Sequence, residues 1–135
     1  TLDEADDPGQ PPQRRLRLLV GALLEAYRDA DSDHKVQINS LSNLSAERQA
    51  QLKDLERDLV VRFADVIRAL NPAVGSSRRL LKPVTMSLFG MLNWAYLWFR
   101  PDGPMSREEY ADLATTMIVA GVASLAKAPD RVAAD

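Results

Sequence analysis

Apolar residues recur along this chain at intervals of three and four, the repeat of a helix with one face turned inward. No segment alternates with the two-residue repeat of a half-buried strand. The first stripe is Leu16, Leu19, Val20, Leu23, Leu24 and Tyr27, which predicts a helix from about Pro12 to Ala30. Proline suits its first turn, where an N–H has no helical partner. Ser32 or Asp33 is placed to cap a short second helix from His34 to about Leu41. Ser45 is placed to cap a long third helix, with Glu47 in its positive first turn. Its stripe is Leu52, Leu55, Leu59, Phe63, Val66, Ile67 and Leu70, and Asn71-Pro72 ends it. Ala73 to Ser77 reads as a loop. A fourth helix is predicted from near Lys82 to Arg100, with Pro83 in its first turn. The fifth opens on a capping box, Ser106 with Glu109, and a staple of Met105 on Tyr110, and runs to about Ala126.

The fourth helix departs from this one-sided pattern. From Val84 to Phe99 it carries no charge, and Phe89, Trp94, Tyr96, Trp98 and Phe99 crowd onto it with one amide, Asn93. At about 100° per residue, Phe89, Leu92, Asn93 and Tyr96 fall on one side, and Met91, Trp94 and Trp98 nearly opposite. Met86, Gly90 and Leu97 take a third flank. A helix apolar all round is buried all round, and five helices cover one or two of its faces at most. The last helix adds small residues, Ala114, Ala120, Gly121 and Ala123, beside Ile118, Val119 and Val122. Both features predict that the last two helices pack on their copies in a second chain as a four-helix bundle. Asn93 then either bonds a neighbouring helix or faces a cavity, because a buried amide without a partner costs about 1–3 kcal/mol.

Composition narrows the chemistry. The 135 residues suit one domain, and a formal net charge of −2 does not suit a cationic nucleic-acid binder. There is no cysteine, hence no disulfide, thiolate nucleophile or cysteine zinc site. The single histidine, His34, cannot make a histidine-rich metal site. Asp29, Asp31 and Asp33 lack a calcium-loop pattern, and no serine sits in a nucleophile elbow. No enzyme activity, metal or cofactor is therefore expected. No apolar stretch reaches the about 20 residues of a membrane span, so a cytoplasmic protein is expected. Arg14, Arg15 and Arg17 form one basic cluster, and Arg78, Arg79 and Lys82 a second. The second lies at the mouth of the apolar fourth helix, placed to steer an anionic ligand.

The segment LFGMLNWAYLWFRPDGPMSREEYADL, Leu88 to Leu113, resembles the last two helices of TetR-family transcriptional repressors. The likeness rests on Asn93-Trp94, Trp98 and the turn Arg100-Pro101-Asp102-Gly103-Pro104. HKVQINSLSNLSAERQAQLKDLERDLVVRFADVI, His34 to Ile67, is similar to the short and long helices that precede that pair. The resemblance implies an all-α, five-helix regulatory domain, a homodimer through its last two long helices, and an internal effector pocket. It also implies an N-terminal helix-turn-helix, to which nothing in this sequence corresponds, so the chain alone is not expected to bind operator DNA. Thr1 is accordingly expected not to be the natural start.

The expected layout is a disordered acidic and Pro-rich leader over 1–10, the helical domain over 11–128, and a tail over 129–135. The pocket is placed between the third and fourth helices with help from the first. Tyr27, Phe63, Ile67, Met86, Phe89, Asn93 and Tyr96 are its candidate lining, with Asn93 as the polar contact. Trp94, Trp98, Met117, Ile118, Gly121, Val122 and Leu125 are assigned to the dimer interface. The resemblance implies a small hydrophobic effector: an acyl-CoA, a fatty acid, a steroid or an aromatic compound. The alternatives are a helical dimerisation module without ligand and, more remotely, a small hydrolase.

Overall fold

In a computed structural model, residues 2–33 and 45–125 are described. They form six helices and no strand: α1 (Leu2–Ala5), α2 (Pro12–Asp33), α3 (Ala46–Leu70), α4 (Pro72–Gly75), α5 (Leu81–Trp98) and α6 (Arg107–Leu125). The expected short helix from His34 to Leu41 lies outside the described residues. The core is built as the stripes predict. Leu16, Leu19, Val20, Leu23, Leu24 and Tyr27 of α2 are buried against Leu52, Leu59, Phe63, Val66 and Ile67 of α3. Leu88, Leu92 and Ala95 of α5 and Tyr110, Ala111, Ala114 and Val122 of α6 close it. Each fully buried aliphatic or aromatic side chain contributes about 1.5–3 kcal/mol, so this core outweighs the surface ion pairs, worth about 0–1 kcal/mol each.

The helix ends follow local chemistry. Ser45 Oγ accepts from the Arg48 N–H at 3.2 Å. The capping box is complete: the Glu109 N–H donates to Ser106 Oγ at 3.1 Å and the Ser106 N–H to Glu109 Oε1 at 3.0 Å. α2 runs past Ala30 to Asp33.

Two segments differ from expectation. The stretch after Asn71 is a helical turn, α4, not a loop. Asn71 Oδ1 accepts from the Ala73 and Val74 N–H groups, and Pro72 supplies a helical φ at the first position. The Asn71 amide also donates to the Val122 carbonyl of α6 at 2.9 Å. One buried side chain thus ties the α3–α4 corner to the last helix. Gly75 lets this corner close: a Cβ there would lie 2.8 Å from Arg68 Cα.

The acidic leader, expected to be disordered, instead carries α1 and packs on the domain. Leu2 is buried. Asp6, also buried, accepts from Arg15 Nε at 2.6 Å and from Arg62 Nη1 at 2.9 Å. Arg62 also holds Asp58 and Asp3. The Arg15 hydrogen bond outweighs desolvation and, with Arg62, holds the Asp6 carboxyl below the usual range. Its contribution is therefore present at neutral pH and lost only as acid protonates it. Composition alone reads such a leader as solvated; two arginines from α2 and α3 reverse that.

One group in α6 is left unsatisfied. Thr115 Oγ1 is buried with no hydrogen-bond partner among the described residues. Thr115→Val removes that polar atom and keeps the branching, and is expected to raise stability by about 1 kcal/mol. A higher urea midpoint at unchanged m checks it. A lower midpoint would mean that the hydroxyl is satisfied.

Candidate functional site

α3 and α5 lie side by side with a groove of about 320 Å³ between them. Val60 and Ala64 of α3 form one wall, and Leu81, Thr85 and Met86 of α5 the other. Ser76, Ser77, Arg78 and Lys82 line one end beside Gly75. A second hollow, between α2 and the start of α6, is lined by Leu24, Tyr27, Phe99 and Tyr110 but holds only about 40 Å³. That is room for a water molecule or so, whereas 320 Å³ falls in the range of small-molecule sites.

One helical turn beyond the groove, three helices meet at a polar bridge. The Tyr27 hydroxyl of α2 donates to Glu56 Oε2 of α3 at 2.7 Å and lies within hydrogen-bond distance of Asn93 Oδ1 of α5. Burial, then the Glu56 carboxylate, pushes the phenol far above its ordinary value, so its proton stays in place. One phenol proton serves one acceptor at a time. A half-turn of the Asn93 amide puts an N–H on the phenol oxygen, and both bonds are then made together.

The structure separates the predicted pocket residues. Tyr27 and Asn93 are joined directly. Met86 lines the groove, and Phe89 is half-buried and does not line it. Phe63 and Ile67 are fully buried core and do not line it. The side chain of Tyr96 lies outside the described residues. Asn93 is not a buried amide: it is exposed on its outer side and bonded on its inner side. Its partner is the side chain of a neighbouring helix, one of the two roles the sequence left open.

Glu56 was missed, because the acidic residues read as solvated faces. A signal was present: Leu52, Glu56, Leu59 and Phe63 share one helical stripe at spacings of four, three and four. An acid in an apolar stripe calls for a buried donor, and Tyr27 is that donor. Of the first basic cluster, Arg15 pairs with Asp6 and Arg17 with Asp112 at 2.6 Å, so both serve packing.

The residues assigned to an interface also divide. Trp94 is 64% exposed and Met117 55%, and Leu97, outside the assigned set, is 62% exposed. Gly121 is exposed, and Ile118 and Leu125 are half-buried. Trp98 is half-exposed, with its ring edge-on to Tyr110 at 5.2 Å. Val122 is the exception. It is 3% exposed inside its own protomer, and its carbonyl accepts from Asn71. Its place is the protomer core, because α6 turns that flank toward the α3–α4 corner.

No described helix is long and apolar enough to cross a membrane. Among the described residues no group of three or more His, Asp or Glu side chains is gathered to hold a metal.

No curated protein matches the chain. A solved TetR-family transcriptional regulator from Bordetella parapertussis 12822 is 28% identical, with a TM-score of 0.63 over 82% of this chain. The chain spans 58% of that regulator's length. A TetR/AcrR-family regulator from Thermobifida fusca YX-ER1 is 21% identical and shares the fold, with a TM-score of 0.56 over 89% of this chain and 67% of its own. The family model for the tetracyclin repressor-like C-terminal domain matches residues 9–122, and the chain therefore belongs to the tetracyclin repressor-like family, as its C-terminal domain.

Proposed function

We propose that this domain binds a small hydrophobic or acyl-CoA-type effector between α3 and α5 and, as a homodimer, relays that binding to DNA-reading heads N-terminal to it in a longer regulator. The groove of about 320 Å³ carries this reading. Its lining is largely apolar, it touches the helix that holds Tyr27 through Glu56, and its charged groups, Arg78 and Lys82, sit at one end. A ligand lodged there favours one separation of α3 and α5, and that preference is all that a shift between two states of a dimer requires. The heads would follow because α1, the chain's entry into the domain, is held on α3 by Arg62.

Thermal unfolding with acyl-CoAs, fatty acids, steroids and aromatic compounds tests the reading. A true effector at a hundredfold excess over its Kd is expected to stabilise the domain by about 2.7 kcal/mol. Val60→Trp, which fills the groove, should abolish that gain. An unchanged midpoint across the panel would leave a dimerisation module without ligand.

A further inference from the structure

The two ends of the α3/α5 groove carry opposite character. The end beside Gly75 is cationic. Arg78 and Lys82 lie there, four residues apart at the start of α5, and no carboxylate lines the groove. Arg15, Arg17, Arg62 and Arg68 are all ion-paired, whereas neither Arg78 nor Lys82 has such a partner among the described residues. An unpaired surface cation is ordinary by itself. These two are distinguished by lining one end of an open, largely apolar groove. Ser77 adds a donor: its Oγ accepts from the Leu80 N–H at 3.0 Å, which leaves the hydroxyl hydrogen to give. Ser76 is already committed, donating to the Ala73 carbonyl. Thr85 is satisfied likewise, donating to the Leu81 carbonyl at 2.7 Å. The wall beyond is therefore apolar in effect, formed by Val60, Ala64, Leu81 and Met86. Past the opposite end lies the Glu56 carboxylate, which repels an anion.

We propose that the groove takes an anionic amphiphile in one orientation: a free straight-chain fatty carboxylate, its head held by Arg78, Lys82 and the Ser77 hydroxyl, its tail running between α3 and α5 toward Glu56. The inference rests on the groove being the effector site and adds the ligand's class and direction. Tail length follows from volume. At roughly 30 Å³ per water-sized group, the groove of about 320 Å³ holds a tail of about ten carbons with the carboxylate seated at its cationic end, so decanoate is the matched probe. A guanidinium and an ammonium with a hydroxyl suit a single carboxylate, since charge-assisted hydrogen bonds are the stronger kind.

Isothermal titration of the whole 135-residue chain with decanoate and with decanol separates the possibilities. Decanoate is expected to bind at least tenfold more tightly than decanol. In the double variant R78Q/K82Q that preference should vanish while decanol binds as before. Both side chains are exposed, so the variant is expected to fold, which its helical circular dichroism checks. Equal affinities of decanoate and decanol, or a preference for decanoate that survives R78Q/K82Q, would overturn the anionic-head assignment. In that event decanol binding that is lost in V60W leaves the effector groove standing. Failure of both probes to bind overturns the fatty-carboxylate assignment, and the effector groove then stands or falls with the acyl-CoA, steroid and aromatic panel.

Discussion

Aspartate at Trp94 and Leu97 (W94D/L97D) is expected to leave the domain a monomer at micromolar concentration, where the unsubstituted chain should run at twice its 15.0 kDa mass. In one protomer these side chains are 64% and 62% exposed, with Met117 at 55% and Leu113 at 42% on α6. Neighbouring apolar exposure on two long helices is more than a soluble monomer ordinarily carries. The glycines point the same way. A Cβ at Gly90 or Gly121 would meet nothing within 4 Å in the protomer. Each nonetheless costs its helix about 1 kcal/mol relative to alanine. Close approach of a second copy gives them a reason that the single chain lacks. At the centre of an interface each lost aromatic or aliphatic anchor costs on the order of 2 kcal/mol. The pair is therefore expected to weaken association by about a thousandfold or more. The monomer fold should survive, because neither side chain is in the core. Light scattering that gives 15.0 kDa for the unsubstituted chain would remove the dimer.

Asn71→Leu is expected to destabilise the domain by about 3 kcal/mol, a large share of the roughly 5–15 kcal/mol that holds such a fold. The substitution keeps the volume and deletes three bonds: to Val122 across the domain, and from Ala73 and Val74 at the cap of α4. Each is worth about 1 kcal/mol, and more where the orphaned partner stays buried. Asn71→Asp separates the roles. It retains the cap oxygen but sets a carboxylate against the Val122 carbonyl, and should be no more stable than N71L. Urea unfolding measures both. A loss below about 1 kcal/mol for N71L would show that hydrophobic packing alone holds the corner.

These two cases differ in what the order of residues shows. Trp94 and Leu97 lie on a charge-free helix among charged ones, a local anomaly visible in the sequence. Asn71 looked like punctuation before a proline. Its second function needs Val122, 51 residues away, and no local pattern encodes that distance. The same division runs through the groove. Tyr27 and Asn93, joined at the bridge beyond it, are legible as polar departures within apolar stripes, whereas Met86, which lines it, is an ordinary apolar residue. Phe63 and Ile67 matched the same pattern and proved to be plain core, because periodicity gives the inward face of a helix without the depth of a residue.

The chain by itself determined the four long helices, the caps at Ser45 and Ser106, and the inward faces of α2 and α3, since hydrogen bonds at spacings of three and four and the 3.6-residue repeat are local. It also determined the family, through the Asn93-Trp94 pair and the turn that follows Phe99. Tertiary structure alone decided what each face meets. It brought Glu56 to Tyr27, seated the acidic leader on Arg15 and Arg62, turned Val122 inward, and opened a groove whose one end is cationic. Those outcomes depend on charges and cavities shared between helices far apart in sequence, and such pairings exist only once the helices have packed.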